Sequence, residues 1–592
     1  MRRRQTPSWS LALLTAVLSL GCSGAPAQPA SAPAATSTNI TEPARSATND
    51  KGPRVVVTMV VDQLGAWIAA ERWPLFPESG GFARLRREGT WAREVRYPYA
   101  ITDTGPGHAT LYTGALPRNS GIFANDLLDP ATRAEVSIVH DPTVKTVTAA
   151  GPIESAGASL ARLRVETLAD SLRAARPDAW IVGVSIKDRG SLFAAGRRPD
   201  VALWFDVKQD AFVTSTAVSR ELPAWAVNIG GTEAIARLRE KPWVPLDEAF
   251  LRANARTPDA SPGEGDIAGF GAVFPHDFRK TKLPAKAFRG SPHADQTLVA
   301  LGLAALEAAP AGRSPALLAI SFSAHDYVGH TFGPDSWEAW DELLRLDAEL
   351  GRFFEALDAR FGKEGWAALL SADHGSTPMP ETAKIPGARP WCAPGAAPDR
   401  FGRPCGPGGR LLQADLDKEL QAEAAAALGP GDWVLGVADP YVHLTPAARA
   451  LDAGRRDKLI AALSARLSKH PEIERVIDVR TLPAQCPPPA VETVDALVCR
   501  SYAGTGDLYV YPRSGSLFDP EIVEGTGGNH GSPHLSDRSV PLLVRAPGRV
   551  AAGRVVEAPL GPAAFTRTAA SLLGVPPPKA AEPGLDFTAK TD

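Results

Sequence analysis

Cysteine is scarce in this chain, five among 592 residues, and no two stand in a CxxC spacing. That removes the usual signature of a zinc site built from thiolates. Long hydrophobic runs are also missing. The best candidate, residues 11–20 (LALLTAVLSL), is too short to span a bilayer as a helix. Long basic blocks are absent and the net charge is −3, so the footprint of a general nucleic-acid binder is not there. No internal repeat marks the chain. What is present is globular: 44% hydrophobic and 22% charged residues supply material for a large core. Length alone suggests roughly four domains, a soft guide for an α/β enzyme that carries insertions.

The N-terminus reads as a targeting segment, residues 1–22. MRRRQ supplies positive charge, the short apolar run supplies an h-region, and GCSG follows. Gly21-Cys22 is similar to a bacterial lipoprotein cleavage site, at which Cys22 would be lipidated. Ser19 stands where leucine is usual there, so a plain signal peptide stays open. Either route predicts an exported, periplasmic chain. Residues 23–52, rich in Pro, Ala, Ser and Thr, read as a flexible linker. In an oxidising compartment the four remaining cysteines predict disulfides. Cys392 with Cys405 and Cys486 with Cys499 are the pairs that proximity suggests, each 13 residues apart.

Folded structure is expected from RVVVTMVVDQL, a β-branched apolar run that reads as a buried parallel strand delivering Asp62. Other apolar runs also end in polar residues: AWIVGVSIKDRG in Lys187 and Arg189, ALLAISFSAHDYVGH near Asp326, GWAALLSADHG in Asp373 and His374. In open α/β sheets that edge binds ligands. Amphipathic stretches lie between the runs, as in LARLRVETLADSLRAA and WEAWDELLRLDAELGRFFEALDARF. The alternation predicts an α/β fold: a central, mostly parallel sheet flanked by helices. The catalytic core is expected over 53–378, with an insertion near 191–290, and again over 526–592. Residues 379–525, rich in Pro and Gly and holding all four later cysteines, are expected to form an inserted cap subdomain.

The chemistry concentrates in a few aspartates and histidines. HDYVGH spaces Asp326 and His330 four apart, which puts both on one side of a helix. SADHGS places Asp373 beside His374 at a strand end, and GTGGNHGSPH holds His530 in a glycine-rich loop. Carboxylate oxygen and imidazole nitrogen are zinc's usual ligands besides thiolate. TDTGPGHATLYTG sets Thr104 at the mouth of a helix. Its hydroxyl is either an N-cap or a nucleophile placed where free N–H groups bind an anion. Pro106 suits the first turn of such a helix, and Thr102 is the rival hydroxyl.

The order Asp62, Thr in a glycine-rich turn, DxxxH, DHG, GxHG resembles the alkaline phosphatase superfamily. Within it the chain looks like the phosphate-irrepressible (PafA-type) alkaline phosphatases, relatives of the type I phosphodiesterase/nucleotide pyrophosphatases. The resemblance implies one zinc held by Asp326, His330 and His530, and another held by Asp62, Asp373 and His374. Thr104 is then the covalent nucleophile, in contact with the metal. Asn125 in SGIFAND and Lys187 and Arg189 in SIKDRGS would bind phosphoryl oxygens. Extra cations there favour the monoester dianion. The expected partners are small-molecule phosphate monoesters. The following Trp204-Phe205-Asp206 also resembles that subfamily, and His108, His325 and His534 lie near the motifs.

The nearest rival is a phosphodiesterase with the same two metals, against which Lys187 and Arg189 argue. A sulfatase would carry a C/S-x-P-x-R turn, which is absent. A phosphoglycerate mutase-like enzyme does not suit export. A non-catalytic zinc lipoprotein would need neither the nucleophile nor the cations.

Overall fold

The computed structural model describes residues 52–385, 391–393, 396–406, 408–519 and 527–589. The signal segment 1–22 with Cys22, and the linker except for its last residue, lie outside them. Among the described residues no helix is long and apolar enough to cross a membrane.

The run beginning at Arg54 forms the strand Val55–Val61, fully buried along its length. It pairs in parallel with Trp366–Ser371 on one side and Ala316–Phe322 on the other. Trp180–Ser185 pairs in parallel with Ala316–Phe322, and Val201–Asp206 with Trp180–Ser185. Val, Ile and Leu fill these five strands because helices cover both faces, so neither face is free to be polar. Antiparallel strands extend the sheet on both flanks. Ser539–Arg545 and Thr90–Arg96 lie beyond Trp366–Ser371, and Ala211–Ser215, His140–Thr148 and Gly151–Ala158 lie beyond Val201–Asp206. The short strand Arg554–Val556 completes an eleven-stranded mixed sheet among the described residues. The fold is α/β, parallel in its centre and mostly antiparallel toward its margins, where the edge strand Arg554–Val556 again runs parallel to its neighbour. Val201–Asp206 and Ala211–Ser215 belong to this sheet although they fall in the stretch set apart near 191–290.

The helix Trp337–Phe361 turns Leu343, Leu350, Phe353, Phe354 and Leu357 into the main core, and Pro292–Glu307 packs beside it. Between Arg410 and Pro512 the chain builds a smaller antiparallel sheet in the order Val434–Ala438, Tyr441–Leu444, Leu508–Pro512, Ile473–Asp478. The helices Gln413–Leu428 and Ala453–Leu467 bury Leu416, Leu420, Leu459 and Leu463 in its own apolar cluster. Cys392 bonds Cys405 and Cys486 bonds Cys499, with Cα separations of 5.8 and 5.6 Å.

Four of the parallel strands place the chemistry. Because they are adjacent and run the same way, their C-terminal ends share one edge. That edge carries Asp62, Lys187, Asp326, Asp373 and His374, which are up to 312 positions apart in sequence.

Candidate metal and phosphate site

Two groups of ligand-bearing side chains assemble on this edge. Asp326, His330 and His530 form one; Asp62, Asp373 and His374 form the other. In the first, Asp326 Oδ1 lies 3.3 Å from His330 Nε2 and 3.5 Å from His530 Nε2. The helix Ala324–Phe332 presents Asp326 and His330 one turn apart. In the second, Asp62 Oδ1 lies 3.3 Å and Asp373 Oδ2 3.7 Å from His374 Nε2. The groups touch: the His374 and His530 rings stack at 3.7 Å.

The site concentrates negative charge. Asp62, Asp326 and Asp373 are all buried, and Lys187 Nζ sits among them, 2.6 Å from Asp326 Oδ2 and 2.8 Å from Asp62 Oδ2. Burial opposes the Lys187 charge, but the Asp326 and Asp62 carboxylates outweigh it and raise its pKa. Burial also disfavours a charged His374, yet Asp373 and Asp62 push it up to about 10. Asp62 Oδ1 and His374 Nε2 are buried without a hydrogen bond and face each other at 3.3 Å. Orphaned, convergent oxygen and nitrogen atoms of this kind fit divalent metal ions.

Thr104 opens the helix Thr104–Thr113, whose N-cap position belongs to Asp103, so the Thr104 hydroxyl is not a cap. Its Oγ1 accepts a hydrogen bond from Lys187 Nζ at 2.9 Å. Thr102, the rival, donates its hydroxyl to the Ser532 carbonyl and its own carbonyl faces His530 Nδ1. Asn125 Oδ1 accepts from the Gly105 N–H at 2.7 Å, which puts its amide beside the Thr104 turn. Gly107 has to be glycine: a Cβ there would stand 2.2 Å from the Asp373 carbonyl oxygen. The GPGH sequence thus lets the helix Thr104–Thr113 lie directly against a metal-capable group.

Arg189 stands in the first turn of the helix Asp188–Ala195, at the end of Trp180–Ser185. It lines a cleft of about 410 Å³ with Lys187, Trp204 and Tyr327. Asp188 pairs with Arg189, its Oδ1 3.8 Å from Arg189 Nη1.

Three histidines near the motifs have separate fates. His108 contacts the site: Nδ1 is 3.0 Å from both the Thr104 carbonyl oxygen and Asp373 Oδ2, and Nε2 meets Ser321 Oγ at 2.8 Å. His325 turns away toward Glu342, 3.2 Å off, and burial lowers its pKa to about 3. His534 meets the Pro512 carbonyl. Sequence reasoning missed Gln63 altogether. It is fully buried beside Asp62 and contacts both groups, and no spacing signals such a residue.

Fold and site together give an α/β sheet whose strand ends carry two residue groups capable of holding metal ions. Residues 56–532 match the type I phosphodiesterase / nucleotide pyrophosphatase family, and the chain belongs to it. It is 31% identical to the alkaline phosphatase PhoV of Synechococcus elongatus over 83% of this chain and 85% of that protein. It is 28% identical to the alkaline phosphatase PafA of Elizabethkingia meningoseptica, over 83% and 86%. A crystal structure of alkaline phosphatase PafA superimposes with a TM-score of 0.77 at 26% identity, covering 91% of this chain and 98% of that one.

Proposed function

We propose that the protein is an exported, zinc-dependent alkaline phosphatase that hydrolyses phosphate monoesters through a phosphothreonine. The carrying observation is Lys187, whose ammonium lies 2.9 Å from Thr104 Oγ1. Two zinc ions would be held by Asp326, His330 and His530 and by Asp62, Asp373 and His374. Bound there, they would supply Lewis-acid chemistry, favouring an ionised attacking oxygen and offsetting negative charge on a leaving one.

The protein's own groups do the rest. Thr104 Oγ attacks phosphorus in line, its proton passing to solvent. The new Oγ–P bond forms as the P–O bond to the leaving group breaks, and the departing alkoxide takes a proton from water. Lys187 and Arg189 hold the non-bridging oxygens, where charge accumulates in a loose transition state. The Asn125 amide and the free N–H groups at the Thr104 helix end add donors to the same oxygens. Water then attacks the phosphothreonine, the Oγ–P bond breaks, and phosphate leaves with Thr104 restored.

The likeness to alkaline phosphatases supports this activity, and the two disulfides support export to an oxidising compartment. The first 22 residues would direct that export, with Cys22 the residue that a lipoprotein pathway would modify. The second reading is a phosphodiesterase, favoured by the family description. The two readings differ in what Lys187 and Arg189 do for substrates of different charge.

The test is steady-state hydrolysis of p-nitrophenyl phosphate and bis-p-nitrophenyl phosphate at alkaline pH by the zinc-loaded protein. Monoester turnover should exceed diester turnover and vanish in Thr104→Ala. Lys187→Ala/Arg189→Ala should cost the monoester at least about 100-fold in kcat/KM, the scale of losing one such donor, and the diester far less. A diester preference would move the assignment to phosphodiesterase, and activity surviving Thr104→Ala would remove the nucleophile.

A further inference from the structure

Gln63 follows Asp62 directly and is fully buried. Its φ is 68°, in the left-handed region that a residue with a Cβ adopts only at a cost. That twist points two donors of one residue in different directions. The backbone N–H donates to Asp373 Oδ1 at 3.2 Å, and the side-chain Nε2 donates to Asp326 Oδ1 at 3.1 Å. Asp373 belongs to one metal-capable group and Asp326 to the other. The Asp326 oxygen it touches is the one that faces His330 Nε2 and His530 Nε2.

The neighbouring helix is cut away to admit the amide. At Gly329 a Cβ would stand 2.0 Å from Gln63 Oε1. The fold gains little from this arrangement, since Gln63 Oε1 is buried without a hydrogen bond. Strain, a glycine in a helix interior and a buried unsatisfied oxygen all tell against a purely structural residue. What they secure is the orientation of two carboxylates. Partners of ligand side chains tune metal affinity strongly.

We propose that Gln63 is a positioning residue that orients Asp326 through its side chain and Asp373 through its backbone, so that one strained residue aligns both metal groups. The proposal rests on reading the two groups as metal sites. It predicts a separation of the two roles. Gln63→Gly keeps the N–H to Asp373 and relaxes the backbone, so only the Asp326 group should suffer.

The experiment titrates the metal-free full-length chain with Zn2+ against a chromophoric chelator, with Tm followed in parallel. His374→Ala isolates the Asp326 group and His330→Ala isolates the Asp62 group. Adding Gln63→Gly to His374→Ala should weaken the remaining site 10- to 100-fold, the usual range for losing such a partner. Adding it to His330→Ala should leave affinity within about twofold, well below that range, with Tm unchanged or higher. Gly329→Ala, which displaces the amide without altering Gln63, should repeat the selective loss. A wild-type chain that fails to take up two equivalents would overturn the two-metal reading and this inference with it. Two bound equivalents with both affinities indifferent to Gln63→Gly would overturn this inference alone. So would equal weakening of both sites with a parallel fall in Tm, which would make Gln63 merely structural.

Discussion

Thr102 and Thr104 stand two positions apart, yet their surroundings give them different chemistry. Thr102 spends its hydroxyl on the Ser532 carbonyl, while Thr104 accepts from a buried ammonium. A donor at that oxygen favours its negative form, which is what a nucleophile needs. His108 ties the same turn to the carboxylate behind it, since it reaches the Thr104 carbonyl, Asp373 and Ser321 at once. His108→Ala should therefore do two things. It should lower stability by about 2–4 kcal/mol, through a cavity and an unpaired buried hydroxyl. It should also weaken metal binding at the Asp62 group by about tenfold or more. Zinc titration and urea unfolding of the variant check both; a stability loss with unaltered affinity would leave His108 a packing residue.

Single elements carry their own electrostatics. The helix Gly81–Glu88 begins after Gly80, which has no side chain to cap it. Asp347 supplies the cap from the helix Trp337–Phe361, its Oδ1 accepting from Phe82 N at 2.7 Å. Asp347 is buried, and burial pushes its pKa from 3.8 up to about 7. The folded protein therefore keeps this proton between pH of about 4 and about 7, where the unfolded chain has released it. Stability from this group is greatest below about pH 4 and falls as pH rises to about 7. Asp347→Asn keeps the acceptor and removes the titration. It should unfold later than wild type at pH 8, by up to about 4 kcal/mol for roughly three pKa units, and with no such advantage near pH 4. Urea midpoints at the two pH values read the difference.

At the scale of the molecule, the smaller sheet is joined to the loop before Thr104. Ser501, at the end of the helix Val494–Ser501, accepts from the N–H groups of Ala100 and Ile101, three or four residues before Thr104. Val498 and Tyr509 share one buried apolar cluster with these two residues. The Cys486–Cys499 bond closes a loop against this helix. Replacing both cysteines by serine should cost about 3 kcal/mol, as for loops of that length, and should also lower kcat as the loop before Thr104 loosens. The Cys392–Cys405 replacement, on a segment whose Arg403 pairs with Asp335 rather than the loop before Thr104, should cost stability and leave kcat intact. Thermal unfolding and initial rates of the two double variants distinguish these cases.

Local pattern alone decided the α/β class and the polar strand ends. Apolar runs such as VVVTMVV and ALLAISF state their burial in composition, and DxxxH states its geometry through the helical repeat. The cysteine pairs were legible for the same reason, each lying within one short segment. Tertiary structure decided what pattern cannot encode. The order of the strands put Asp62, Lys187, Asp326 and Asp373 side by side, and the backbone twist at Gln63 turned one residue toward two carboxylates. It also gave the two threonines different partners, Ser532 for Thr102 and Lys187 for Thr104, because a hydroxyl's surroundings are groups the fold brings from elsewhere in the chain.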